Sequence, residues 1–273
     1  MTVNVEIICI GNELLIGKIM NTNAQWLAAQ TTNLGANVQR ITVIQDNLTE
    51  IANAINEAKT RKPTFIITTG GLGPTFDDMT LQGVAKALGC KLELNPSALK
   101  MVKQRCIEYA KKRGLPTDIE LTPPRIKMAK LPEKTQPVTN PIGTAPGLRA
   151  EIDDALLFVL PGVPIEMETI FTETIASLIK HTVGEFVFCQ SSLYLAGIME
   201  SQLAPLIDCV MAANKDVYIK SHPAMGTEKK PYTELHLTMR TNQPNPTKKL
   251  EKATKEIMEL IKANAGKVSF EPY

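Results

Sequence analysis

Three glycines, a proline, a threonine and two aspartates crowd into the nine residues from Gly70 to Asp78. Glycine amides approach an anion closely because no Cβ intervenes, and the N-terminus of a following helix adds its positive end. Gly70, Gly71 and Gly73, with the hydroxyl of Thr75, are therefore expected to hold a phosphate-bearing small molecule. Asp77 and Asp78 admit two compatible roles. One of them is expected to cap the helix that starts near Thr80. Asp78 is read as a ligand for a divalent cation, or as a base that orients water, because carboxylates and phosphates share hard cations such as Mg²⁺.

Other acids stand at comparable places. Glu13, in Gly11-Asn-Glu-Leu-Leu-Ile-Gly17, follows an apolar run and is either a ligand-facing acid or a solvated loop charge. Asp46, at the end of the next β-rich run, carries the same two readings. Glu166, after Pro161-Gly-Val-Pro164, is either a first-turn acid favoured by the helix dipole or a further metal ligand. His181, His222 and His236 are scattered and form no triad or metal spacing with the cysteines. Neither a Gly-x-Ser-x-Gly elbow nor a Walker-type lysine is present, which argues against serine hydrolases and P-loop ATPases.

These residues need elements to position them. Val5–Ile10, Val38–Gln45, Phe65–Thr69 and Ala155–Leu160 read as strands, mostly as buried apolar runs halted by glycine or proline. Between them lie helix patterns. Asn21-Thr-Asn23 offers caps for a helix carrying Trp26, Leu27 and Leu34 and closed by Gly35; Asn47 and Glu50 resemble a capping box ahead of Ile51, Ile55 and Ala58. A helix from Thr80 to Leu88 stops at Gly89. A longer one from Pro96 to Arg113 sets Leu99, Val102, Cys106 and Tyr109 on one face. Arg125–Lys130 reads as an edge strand, and a helix after Pro164 sets Met167, Ile170, Phe171, Ile175 and Leu178 on one face.

The alternation predicts an α/β fold, a mostly parallel sheet wound with helices, whose post-strand loops share one edge where ligands bind. Near residue 183 the pattern changes to strand (Phe186–Tyr194), helix (Met199–Met211), strand (Val217–Ser221), strand (Thr233–Arg240) and helix (Thr247–Ala263). Two domains follow, 1–182 for the nucleotide or pyrophosphate site and 183–273 as a small α+β unit.

At 273 residues, 44% hydrophobic and 21% charged, the chain can bury a real core, and its net charge of +2 gives no bulk attraction to nucleic acid or membrane. Residues 181–273 hold 11 Lys+Arg against 10 Asp+Glu, with no Gly-x-x-Gly clamp, so nucleic-acid binding is not expected. The five dispersed cysteines suit reduced thiols, and neither a signal peptide nor a membrane span is read; a cytoplasmic protein is expected. Lys111, Lys112, Arg113, Arg125 and Lys127 form a basic cluster, either helping to hold substrate phosphates or forming a solvated face.

Taken in order, Gly11–Gly17, Asn21–Asn23, Thr69–Thr75 with Asp77, Asp78 and Thr80, Gly143-Thr-Ala-Pro-Gly147, and Pro161–Pro164 with Glu166 and Met167 resemble the CinA family (competence/damage-inducible protein A). Its N-terminal part belongs to the molybdopterin-binding superfamily. Gly197–Ser201 and Leu203–Pro205 are similar to the KH-like middle domain of that family. Longer bacterial members carry a nicotinamide mononucleotide deamidase domain; deamidase activity is not expected of this chain, which resembles the short archaeal form.

The resemblance implies metal-dependent hydrolysis of ADP-ribose, or a similar adenosine diphosphate, to AMP and ribose 5-phosphate. Asp78, Asp46 and Glu13 would be catalytic. Asp78 and Glu166 would hold Mg²⁺, Co²⁺ or Mn²⁺, with K⁺ as a candidate monovalent ion. Substrate would be bound by Gly11, Asn12, Asn23, Gly70, Gly71, Gly73, Pro74, Thr75 and Thr80, and by Gly143, Thr144, Pro146, Gly147, Pro161 and Gly162, in a homodimer. The molybdopterin relatives supply an alternative, molybdopterin binding with transfer of an adenylyl group to a pterin phosphate; their two important aspartates match Asp46 and Asp78, while Leu72 stands where they commonly have Thr. A non-enzymatic nucleic-acid module is the second alternative.

Overall fold

The computed structural model describes residues 2–225 and 231–272. The chain divides into two units, Met1–Val183 and Gly184–Tyr273.

Unit 1 runs β1 (Asn4–Ile10), α1 (Asn12–Leu15), α2 (Thr22–Asn33), β2 (Asn37–Ile44), α3 (Leu48–Thr60), β3 (Phe65–Thr69), α4 (Thr80–Leu88), β4 (Leu92–Leu94) and α5 (Pro96–Lys112). It continues through α6 (Pro123–Lys127), β5 (Lys130–Pro132), β6 (Gln136–Val138), β7 (Gly147–Ile152), β8 (Ala155–Leu160), α7 (Pro164–Ile170), a π-helical turn (Phe171–Ile175) and α8 (Ala176–Val183). A six-stranded sheet has the order β2-β1-β3-β8-β7-β6. Its first four strands are parallel, and β7 and β6 are added antiparallel. This is the mostly parallel α/β architecture expected.

The apolar runs explain it. All five residues of β3 are buried, and so are Val5 to Ile10 except for the chemistry of Glu6. Strands covered by helices on both faces have no solvent side for polar residues to occupy. Glu6, 1% exposed, is the exception, and its carboxylate takes a bidentate pair from Arg61 at 2.5 and 2.7 Å. At the other side of the sheet, Trp26 meets Phe171 edge-to-face at 5.4 Å, joining α2 to the π-helical turn.

Several local expectations need correction. Arg125–Lys130 is not a strand. Pro123 and Pro124 preset helical φ at the first positions of α6, and the strand begins only at Lys130, where β5 pairs with β4. On α5 the buried line is Ala98, Val102, Cys106 and Ala110, an i, i+4 row. Tyr109 is 51% exposed and lies under the Arg113 guanidinium, 4.4 Å from its ring centroid. The π turn inserts a wider turn into the helix after Pro164, so that Ile179 rather than Leu178 reaches the core. Neither Asp77 nor Asp78 caps α4; Met79 occupies the N-cap without a side-chain bond. Asn21, Asn47 and Asn95 do cap their helices. Strands β6 and β7 had no counterpart in the sequence reading.

Unit 2 comprises β9 (Val187–Ala196), α9 (Glu200–Ala213), β10 (Val217–Met225), β11 (Pro231–Thr241), α10 (Pro246–Ala263) and β12 (Lys267–Ser269). Its antiparallel sheet has the order β10-β11-β9-β12. Leu193, Leu195, Ile219, Leu235 and Leu237 share one core with Leu203 and Val210 of α9 and Ala253, Ile257 and Ile261 of α10. It is thus a small α+β unit. No helix among the described residues is long and apolar enough to cross a membrane.

Candidate functional site

The carboxyl ends of β1, β2, β3 and β8 deliver their loops to one edge of the sheet, where right-handed crossovers place them. A cavity of about 560 Å³ opens there. Its walls include Gly11 and Glu13 after β1, Asp46 after β2, Gly70, Gly71, Gly73, Pro74, Asp77 and Asp78 after β3, and Pro161, Gly162 and Glu166 after β8. Thr144 and Ala145 approach from the turn before β7, and Arg125 from α6.

Cross-braces between distant loops hold this edge. The Asn12 amide donates to Asp46 Oδ2 at 2.8 Å, and the Asp46 amide returns a bond to Asn12 Oδ1 at 3.4 Å. Asn23 lies behind the cavity, its Nδ2 donating to Thr69 Oγ1 and to the Gly162 carbonyl at 3.1 and 2.8 Å. Lys127 Nζ donates to the Thr75 carbonyl. Asn140 Nδ2 donates to Glu166 Oε2 at 2.7 Å while its Oδ1 accepts from the Gly143 amide at 2.8 Å. A Cβ at Gly143 would overlap the Glu166 carboxylate, so the glycine makes room for the acid.

The glycine turn is less uniform than its sequence. Gly70 donates its amide to Leu160 O at 3.0 Å, within the sheet, and so offers nothing to an anion. It adopts φ +111°, and a Cβ there would overlap the Ile10 carbonyl oxygen. Gly11 likewise spends its amide on Ile44 O at 3.0 Å. Gly71 and Gly73 donate to no partner among the described residues, which leaves them as the donors of the turn.

Thr75 does not present an open hydroxyl. Its amide and Oγ1 both bond Asp78 Oδ2, at 2.8 and 2.6 Å, and Oγ1 also contacts Asp77. Thr80 is buried and donates to Gly70 O at 2.9 Å, fixing the turn from behind. Pro146 is buried and Gly147 starts β7 against the Val159 carbonyl; neither lines the cavity. Asn12, Asn23, Thr75, Thr80 and Gly143 therefore act as supports rather than as walls. Arg125 and Asn140 were not singled out as site residues by sequence. Arg125 was visible only as part of a basic cluster, and Asn140 sits in a proline-rich stretch with no periodic signal.

Five carboxylates, Glu13, Asp46, Asp77, Asp78 and Glu166, thus line a cavity with one arginine. Burial raises the Asp46 carboxyl above its ordinary value, the Asn12 amide opposes this, and the charges of Glu13, Asp77 and Asp78 raise it further. Asp77 is lowered, first by the Thr75 hydroxyl and then by its own backbone and Lys127. No three His, Cys, Asp or Glu side chains among the described residues are gathered as a ready cage for an ion. The donor set is nonetheless the hard-oxygen kind that fits Mg²⁺-type ions, which use one or two carboxylates and complete their shell with water and substrate phosphate.

Fold and site define an α/β domain with an acidic, glycine-edged cavity at its strand ends. Residues 6–181 match the family model described as "Probable molybdopterin binding domain", and the chain belongs to that family. It is similar to the solved structure of the protein CinA, of unknown function, from Thermoplasma acidophilum, with 39% identity, a TM-score of 0.57, and coverage of 65% of this chain and 98% of that one. Curated relatives described only as "Protein" extend the likeness into unit 2. One from Pyrobaculum arsenaticum is 40% identical over 261 residues, 95% of each chain, and one from Aeropyrum pernix is 40% identical over 259 residues, 93% of each.

Proposed function

We propose that unit 1 binds a phosphorylated pterin of the molybdopterin type and transfers an adenylyl group to its phosphate. The observation that carries this reading is the cavity wall itself, five carboxylates and one arginine facing two unengaged glycine amides. Such a wall repels a bare phosphate and accepts one that arrives with a hard cation. The family match over residues 6–181 supports the pterin as the ligand.

The Gly71 and Gly73 amides donate to non-bridging phosphate oxygens, and the Arg125 guanidinium adds charge-assisted bonds to the same groups. Asp78, braced by Thr75, is held at the turn. Asp78 with Asp46, Glu13 or Glu166 would hold Mg²⁺, Mn²⁺ or Co²⁺, which would supply charge neutralisation and polarise phosphorus. An oxygen of the pterin phosphate attacks the α-phosphorus of ATP; the new P–O bond forms as the α–β bond breaks, and pyrophosphate leaves.

A second reading is hydrolysis of ADP-ribose to AMP and ribose 5-phosphate. Asp46 favours it, because a carboxyl raised above its usual range is a better base toward water, and transfer to a phosphate oxygen needs no base. In that reaction water attacks one phosphorus, the anhydride P–O bond breaks, and Asp46 takes the water proton before releasing it to solvent.

One panel separates the two. The protein is incubated with ATP plus a phosphorylated pterin, or with ADP-ribose alone, with Mg²⁺, Mn²⁺ or Co²⁺ and with or without K⁺, and products are resolved by chromatography. Adenylylated pterin and pyrophosphate support the first reading; AMP and ribose 5-phosphate from ADP-ribose alone replace it with the second. No product from any mixture overturns both.

A further inference from the structure

A second cavity, of about 300 Å³, adjoins the first across the Gly71–Gly73 turn. Gly71, Leu72, Gly73, Asp78 and Met128 line both, so the turn is a partition with a face in each. The two sides differ in charge. The first has five carboxylates against Arg125. The second has Lys127 and Lys130 against Asp78, with the Gln82 amide beside them.

The donors of the second side are available. Lys127 gives one proton to the Thr75 carbonyl, and an ammonium carries three. The side chains of Lys130, exposed at the start of β5, and of Gln82 have no hydrogen-bond or ion-pair partner among the described residues. Asp78, the single acid, already has its Oδ2 bonded by the Thr75 amide and hydroxyl, which spreads its charge. At roughly 30 Å³ per water, the space equals about ten waters, enough for a diphosphate.

We propose that this second cavity binds the diphosphate group of a ligand or product, directly through Lys127, Lys130 and Gln82, without a bridging cation. The Gly71–Gly73 partition then divides labour: a phosphate linkage reacts on the acidic side, and a diphosphate rests on the basic side. The inference rests on the reading that the acidic cavity handles a phosphate linkage, but binding on the basic side needs no turnover.

Inorganic pyrophosphate in EDTA, titrated calorimetrically into the full chain, is the test. Wild type is expected to bind it, with affinity falling as salt rises. Lys130→Glu should weaken it tenfold or more and Lys130→Arg should restore it; circular dichroism checks that each variant is folded. Lys100→Glu, the same charge reversal on an α5 residue that lines neither cavity, should leave pyrophosphate affinity unchanged. AMP, which lacks a diphosphate, should not distinguish wild type from Lys130→Glu. Binding that requires a divalent cation, or that ignores Lys130→Glu, overturns the proposal. Metal-free binding that depends on Lys130, with no turnover in the substrate panel, would retain this inference and remove the proposed reaction; turnover with pyrophosphate binding indifferent to Lys130 would do the reverse.

Discussion

β3 of unit 1 buries all five of its residues, whereas β11 of unit 2 alternates buried Leu235, Leu237 and Met239 with half-buried Glu234, His236 and Thr238. The two sheets are made of similar lengths of chain and solve opposite problems. A sheet covered on both faces cannot place polar groups along its strands, so its chemistry moves to the loops at one end. There, glycines with forced backbone geometry and acids braced by distant partners do the positioning. A sheet covered on one face keeps polar side chains on its strands, where Ser192 bonds Glu234 and His236 meets Gln190. At the cavity edge the backbone approaches its neighbours closely: a Cβ at Gly70, Gly71 or Gly73 would overlap the Ile10 carbonyl, the Thr80 hydroxyl or the Asp78 carboxylate.

Four substitutions sharpen or break that contrast. Arg61→Met strands the buried Glu6 carboxylate and should cost unit 1 about 4 kcal/mol, read by urea unfolding with separate probes for the two units. A loss under 1 kcal/mol would mean that the strand interior tolerates an unpaired charge. Gly70→Ala should cost about 3 kcal/mol, since the new Cβ meets the Ile10 carbonyl at φ +111°. Gly197→Ala in unit 2, at φ +77° with nothing near its Cβ position, should cost only about 1 kcal/mol. Equal losses at the two glycines would erase the distinction between a packed turn and an open one.

The smallest effect concerns Asp46. Its folded pKa lies above the ordinary carboxylate value, so folding favours the protonated acid. That stabilisation is complete below the unfolded pKa and is lost as pH rises through the folded one. Asp46→Asn should therefore raise the melting temperature slightly at pH 7 and leave it unchanged at pH 3. A lower melting temperature at pH 7 would show that the Asn12 bond outweighs burial and the three neighbouring acids.

The buried strands were legible because their signal is local: Val5–Ile10, Phe65–Thr69 and Ala155–Leu160 are apolar runs that end at glycine or proline. The acids after them were legible for the same reason, since a loop following a buried strand has one place to go. Which glycine amides remain available was not legible. Gly70 loses its amide to Leu160, a partner set by the β3–β8 register and absent from any short window. Nor was the division of the basic cluster: Arg125 and Lys127 reach the two cavities because a proline-started turn, not a strand, carries them. The aspartates misled as caps because Thr75, three residues before Asp78, competes for its carboxylate.

The braces of the site join residues 34, 52 and 139 positions apart, from Asn12 to Asp46, Thr75 to Lys127 and Asn23 to Gly162. Contacts of such separation close late, after the chain entropy of long loops has been overcome. A nascent chain that has emerged as far as α5 already holds the Gly-rich turn and both of its aspartates, yet it lacks Lys127 and Gly162 altogether. The cavity would thereby open to a ligand only once β8 has slotted beside β3, when residues 161 onward, unit 2 included, are still to be laid down.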